Sequence, residues 1–218
     1  MNTGAVIITG EALKKENAQP IVEFFAKYSG KFICAAAGHN QEALLAAYGS
    51  GAVDISQKEK TRVLNVDMGG GTTKFALIED GVVRQTAAIN VGARLIAFDD
   101  DCVVTRVEEA GRVLMEELGY RVALGEKIMR RQQEEFAALM AKVIMEVIEQ
   151  GQVAPLAKKL MVTEPFRDYR GLEQIDCLVF SGGVAEHVYG RDRTAYGDVG
   201  PFLGKSMRKC LKKLSPEG

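Results

Sequence analysis

Short apolar runs alternate with helical patterns along the first part of the chain. Ala5-Val6-Ile7-Ile8-Thr9 is β-branched and bounded by glycine, which predicts a buried strand, and Gln19 to Tyr28 places apolar residues at helical spacing. Lys31 to Ala37 predicts a second strand. Gly38-His39-Asn40 breaks it, and Gln41 to Tyr48 predicts a helix that Gly49-Ser50-Gly51 stops. Arg62 to Asp67, Lys74 to Ile78 and Val82 to Asn90 then read as three strands, joined by a glycine triplet and by the turn at Glu79-Asp80-Gly81. This block is predicted to consist of hairpins rather than a further βαβ unit.

From Val104 to Leu160 helix formers dominate, and Glu108 to Leu118 and Glu126 to Glu149 place apolar residues three and four apart. A helical subdomain is therefore expected to interrupt the sheet. Ile175 to Phe180 predicts another buried strand, ending in Ser181-Gly182-Gly183, and Phe202 to Leu214 predicts a basic amphipathic helix. Its face of Lys205, Arg208, Lys209, Lys212 and Lys213 reads either as solvated or as a dock for an acidic surface.

Composition narrows the function classes. With 218 residues the chain can fill one large or two small domains, and a formal charge of -1 supplies no basic field for nucleic acid. Cys34, Cys102, Cys177 and Cys210 stand singly, and His39 and His187 lie far apart, so neither structural zinc nor a disulfide framework is expected. The start of the chain has no basic region followed by a sustained apolar stretch, which predicts neither a signal peptide nor a membrane span. A reduced, cytoplasmic protein is the expectation. Asp99-Asp100-Asp101 reads as a solvated loop.

Candidate chemistry concentrates in Asp67-Met68-Gly69-Gly70-Gly71-Thr72-Thr73-Lys74. Three glycines between two strands let several N–H groups point into one concavity, and Thr72 and Thr73 add hydroxyl donors, so the loop suits an anion. Asp67 is placed to hold a magnesium-bound water or to orient an attacking one. No Gly-Lys-Ser/Thr ending opens a helix and a strand follows, which excludes a Walker A loop and the dinucleotide fingerprint. A tight glycine hairpin without ligand is the open alternative.

Asp-x-Gly-Gly-Gly-Thr-Thr after a β-branched strand resembles the second phosphate motif of the actin, Hsp70 and FtsA superfamily. Asp176 to Ala185, with its Ser181-Gly182-Gly183-Val184 turn, is similar to that superfamily's adenosine motif. Val66 to Lys74, Val91 to Ile96, Phe180 to Glu186 and Tyr196 to Pro201 resemble, more narrowly, the ethanolamine ammonia-lyase reactivating factor family. The resemblance covers essentially the whole chain. It implies an α/β actin-like ATPase (ribonuclease H-like) fold, a mixed sheet flanked by helices. Residues 1–60 would be the remainder of a first lobe, and 61–218 a second lobe with a helical insertion at about 92–172.

The resemblance also implies ATP or ADP with Mg2+. Gly69, Gly70, Gly71, Thr72, Thr73 and Lys74 would hold phosphate, with Asp67 catalytic and binding metal through water. Ser181, Gly182, Gly183 and Val184 would hold adenosine, joined by Glu109 and Arg112, whose i,i+3 spacing equally suits a surface ion pair. The implied work is chaperone-like, the ejection of damaged cobalamin from inactivated ethanolamine ammonia-lyase, in the cytoplasm or in association with a bacterial microcompartment. Two departures stand out: Lys74 replaces the superfamily's aspartate, and nothing before Ala5 supplies a first phosphate loop of the Asp-x-Gly type. The expectation is an incomplete two-lobe molecule. A non-hydrolysing nucleotide-binding scaffold and a small-molecule kinase remain competing readings, and self-association is left open. His187 and the Asp198-Val199-Gly200 turn are read as structural, and the cysteines as small core residues.

Overall fold

The computed structural model describes residues 4–9, 20, 32–149 and 153–214. Gly4–Thr9 (β1) and Phe32–Ala37 (β2) pair in parallel, Gly4 opposite Phe32 and Thr9 opposite Ala37. The helix expected over Gln19 to Tyr28 lies, apart from Pro20, outside the described residues.

His39–Gly49 (α1) follows β2, and Gly51, with φ +79°, leads into a helix the apolar pattern did not announce, Ala52–Glu59 (α2). Only Ala52, Val53 and Ser56 of α2 are buried, too few to print a periodic stripe.

The main sheet has the order β5-β4-β3-β8, built from Arg62–Met68 (β3), Thr73–Glu79 (β4), Val82–Ile89 (β5) and Cys177–Ser181 (β8). β3 runs antiparallel to β4 and parallel to β8, and β4 and β5 form a hairpin closed by Asp80 and Gly81, both with positive φ. Thr73 to Ile78 are all buried because both faces of the sheet are covered. On one face Val63, Ala76 and Ile78 meet Ala47, Ala52 and Val53 of α1 and α2. On the other, Leu64, Val66, Phe75 and Leu77 join the larger core. Each fully buried Leu, Ile or Phe there contributes about 2 kcal/mol of transfer free energy.

The stretch from Val104, expected to be dominated by helices, begins instead with the second strand of a small hairpin, Ile96–Phe98 (β6) against Val104–Val107 (β7). Glu109–Glu117 (α3) and Arg130–Glu149 (α4) follow. α4 starts at Arg130 rather than Glu126. Ile128 N–H donates to the Cys102 carbonyl at 2.9 Å, which holds the preceding residues to the hairpin, and the Gln132 side chain accepts from Met129 N–H at 2.8 Å as half a capping box. Phe136, Met140, Ile144 and Ile148 then form its buried stripe. Pro155–Leu160 (α5), Gly183–Tyr189 (α6) and Gly200–Leu214 (α7) complete the helices the site depends on. α6 and α7 pack on the larger core through Val184, Val188, Leu203 and Met207. Asp99 accepts from the N–H groups of Asp101 and Val103, so the acidic run is an exposed turn. Among the described residues no helix is long and apolar enough to cross a membrane.

Candidate nucleotide site

β3 ends at Asp67 and Met68, Gly69 to Thr72 reverse the chain, and Gly69 N–H closes the turn on the Thr72 carbonyl at 3.0 Å. A neighbouring segment ties it down. The N–H groups of Ala93 and Arg94 donate to the carbonyls of Gly69 (3.1 Å) and Gly70 (2.6 Å). That approach needs Gly92, where a Cβ would stand 2.5 Å from the Gly70 oxygen. With the carbonyls drawn to one side, the N–H groups of Gly70, Gly71 and Thr72 have no hydrogen-bond partner among the described residues. Three consecutive free donors at one turn are able to serve an anion.

The Gly-Gly turn after β8 meets this loop directly. Gly182 has φ +82°, and a Cβ on it would lie 2.5 Å from the Met68 carbonyl oxygen. Between the two turns lies a pocket of about 200 Å³, with Gly69 and Gly70 on one side and Gly183 and Val184 on the other. Arg94, His187, Tyr196 and Asp198 supply its polar side chains. A larger cleft, about 760 Å³, opens at the other end of β3 and β4, where Arg62 and Arg84 both pair with Glu79; it holds none of the expected site residues.

The four polar side chains were not assigned to a site from the sequence, although Val91 to Ile96 had marked the segment of Arg94 and Tyr196 to Pro201 that of Tyr196 and Asp198. His187 is 5 % exposed, and its Nδ1 lies 3.0 Å from the Asp192 carbonyl. A carbonyl only accepts, so Nδ1 carries the proton and Nε2 is left for the pocket. Asp198 accepts from Gly200 N–H at 2.9 Å, capping α7 as well as lining the pocket, so the turn read ahead of the last helix is present and does more than turn. Tyr196 is held by its hydroxyl, which donates to Asp192 at 2.9 Å. The Asp192 carboxyl is drawn down to about 2, first by the Thr194 backbone N–H and then by the Thr194 and Tyr196 hydroxyls.

Other expected residues fall differently. Ser181 donates to Asp67 Oδ1 at 3.2 Å and accepts from Asn65 Nδ2 at 3.3 Å, so it reaches the phosphate side rather than the pocket. Thr73 is fully buried and its hydroxyl donates to the Val91 carbonyl at 2.7 Å, which corrects its assignment as a phosphate donor: the hydroxyl fastens the loop. Glu109 and Arg112 do not line the pocket; Arg112 donates to the Val122 carbonyl at 3.0 Å, and Glu109 is exposed at the start of α3. No ion pair joins these two residues among the described residues, and α3, which carries them, starts beyond the β6–β7 hairpin.

Lys74 neither lies outward nor projects from the loop as a lone phosphate ligand. It is 8 % exposed, stands opposite Asp67 across β3 and β4, and places Nζ 2.7 Å from Glu42 Oε2 and 3.9 Å from Asp67 Oδ2. These residues do not fit a divalent cation held through Asp67. One carboxylate oxygen is engaged by Ser181, the other faces an ammonium, and magnesium needs oxygen ligands in an octahedron.

A mixed sheet with a glycine turn between antiparallel strands, and a Gly-Gly turn closing the parallel strand beside them, has the arrangement of an actin-like ATPase fold. The chain belongs to the ethanolamine utilisation protein EutA family, whose pattern matches residues 1–215. It is 35% identical over 215 residues to the ethanolamine ammonia-lyase reactivase EutA of Salmonella typhimurium and 34% identical over 209 residues to that of Escherichia coli. These alignments cover 96% and 95% of the chain and 44% of each relative, so the chain spans less than half the length of the curated relatives it matches. Among solved structures it is similar to the Ppx/GppA family member of Aquifex aeolicus, with 17% identity and a TM-score of 0.46, over 87% of this chain and 46% of that one.

Proposed function

We propose that the chain holds an adenine nucleotide, with phosphate on the N–H groups of Gly70, Gly71 and Thr72 and the nucleoside in the pocket closed by Gly183 and Val184. The observation that carries this reading is the run of three N–H groups without a partner among the described residues, at a turn whose Gly69 and Gly70 line that pocket. Within a protein of its relatives' length, the segment would contribute residues 1–60 to a first lobe and 61–218 to a second, with the insertion at about 92–172. That protein would use ATP, with magnesium carried on the nucleotide, to release damaged cobalamin from inactivated ethanolamine ammonia-lyase in the cytoplasm or at a microcompartment. The relatives' name, ethanolamine ammonia-lyase reactivase, supports the target. Such work requires nucleotide to bind two conformations unequally, since equal affinity shifts nothing.

The test is a calorimetric titration with ADP and ATP beside Gly70→Asp, which puts a carboxylate at the turn. Micromolar to millimolar binding by the wild type and its loss in the variant are expected; equal heats from both would refute the site. A second reading, a nucleotide-binding scaffold that hydrolyses nothing, is favoured by Lys74 facing Asp67 at 3.9 Å, because an aspartate so placed is a poor orienter of water. Phosphate release in a single turnover separates the two.

A further inference from the structure

We propose that Lys74 takes the place of a divalent cation beside Asp67, so that nucleotide binding by this chain does not require magnesium. The inference rests on the nucleotide reading above and concerns the source of positive charge at that site.

Asp67 and Lys74 are register partners, so the ammonium is fixed next to the carboxylate by the strand pairing itself. Glu42, from the first turn of α1, grips Nζ from the other side at 2.7 Å, and both Lys74 and Glu42 are buried. The two carboxylates lie no farther apart than the sum of their distances to Nζ. A metal at Asp67 would stand within a few ångströms of the Lys74 ammonium, which lies 3.9 Å from Asp67 Oδ2.

A second cation, exposed rather than buried, belongs to the segment tied to the turn. Arg94 is bound through its N–H to Gly70, its side-chain carbons lie over Gly70, and it makes no ion pair among the described residues. With Lys74 engaged by Glu42 and Asp67, Arg94 adds a positive charge at the turn that no described carboxylate engages.

The test measures mant-ADP affinity in magnesium and in EDTA, and Mn2+ binding by electron paramagnetic resonance without nucleotide, for the wild-type chain, Asp67→Asn and Lys74→Asp. Wild type is expected to bind ADP within about twofold in the two media and to hold no Mn2+ that Asp67→Asn releases. Lys74→Asp is expected to gain one Mn2+ and to bind ADP about tenfold more tightly with magnesium than without. Wild-type Mn2+ binding that Asp67→Asn abolishes, or a tenfold loss of wild-type ADP affinity in EDTA, overturns the proposal. The wild type and Asp67→Asn decide the matter even if Lys74→Asp does not fold. Absence of ADP binding under both conditions would refute the nucleotide reading, while the Mn2+ arm would still judge Lys74.

Discussion

Glu42, Asp67 and Lys74 show how one substitution in a familiar motif is accommodated by a residue far away in sequence. A buried ammonium is tolerated only when paired, and α1 supplies the nearer partner. Glu42→Ala would leave Lys74 with Asp67 alone at 3.9 Å, and urea denaturation is expected to show a loss of about 3 kcal/mol. The two glycines of the turn after β8 are not equivalent either. Gly182 combines a positive φ with contact to the Met68 carbonyl, whereas a Cβ at Gly183 would meet nothing within 4 Å. Gly182→Ala should therefore destabilise by more than about 1 kcal/mol. Gly183→Ala should stay within about 0.5 kcal/mol of wild type in a melt yet weaken ADP in calorimetry, because its methyl enters the pocket.

At the scale of elements, the sheet edge at β5 is guarded by the segment after α5. Val162 N–H donates to the Ala88 carbonyl, Thr163 accepts from Ala88 N–H, and Gln85 exchanges two bonds with the Arg167 backbone. An edge so occupied cannot recruit a foreign strand there. The segment is anchored by Phe166 and Tyr169, stacked edge to face, and by the Tyr169 hydroxyl, which donates to the Ile148 carbonyl in the last turn of α4 at 2.6 Å. Burial pushes the Tyr169 phenol up to about 12. The folded chain thus keeps a proton that the unfolded chain gives up near 10, so this contribution is complete below pH 10 and disappears as pH rises toward 12. Chemical denaturation across that window should show stability falling with pH, and Tyr169→Phe should flatten the slope; an unchanged slope would exclude the anchor.

Over the whole molecule, two turns from distant parts of the chain are brought into contact by the parallel pairing of β3 with β8, and the nucleotide reading depends on that juxtaposition. A protein of the relatives' full length carrying Gly70→Asp is expected to lose restoration of activity to inactivated ethanolamine ammonia-lyase while still folding; retained restoration would separate the reactivating work from this turn. What the sequence determined by itself was local. β-branched runs, the Asp-Gly hairpin and the glycine triplet act through neighbouring dihedrals and hydrogen bonds, so β3, β4, β5 and their turns were legible residue by residue. Only tertiary structure decided the rest. Val104 to Val107 become a strand because Ile96 to Phe98 lie alongside, against a helical trend in the segment that follows. The Thr73 hydroxyl serves Val91 instead of a ligand, and Lys74 turns to Glu42. Arg94, His187, Tyr196 and Asp198 become one pocket wall only when α6 and α7 pack beside the loop. Each of these outcomes is chosen by partners remote in the chain, whose positions no local pattern of apolar and polar residues encodes.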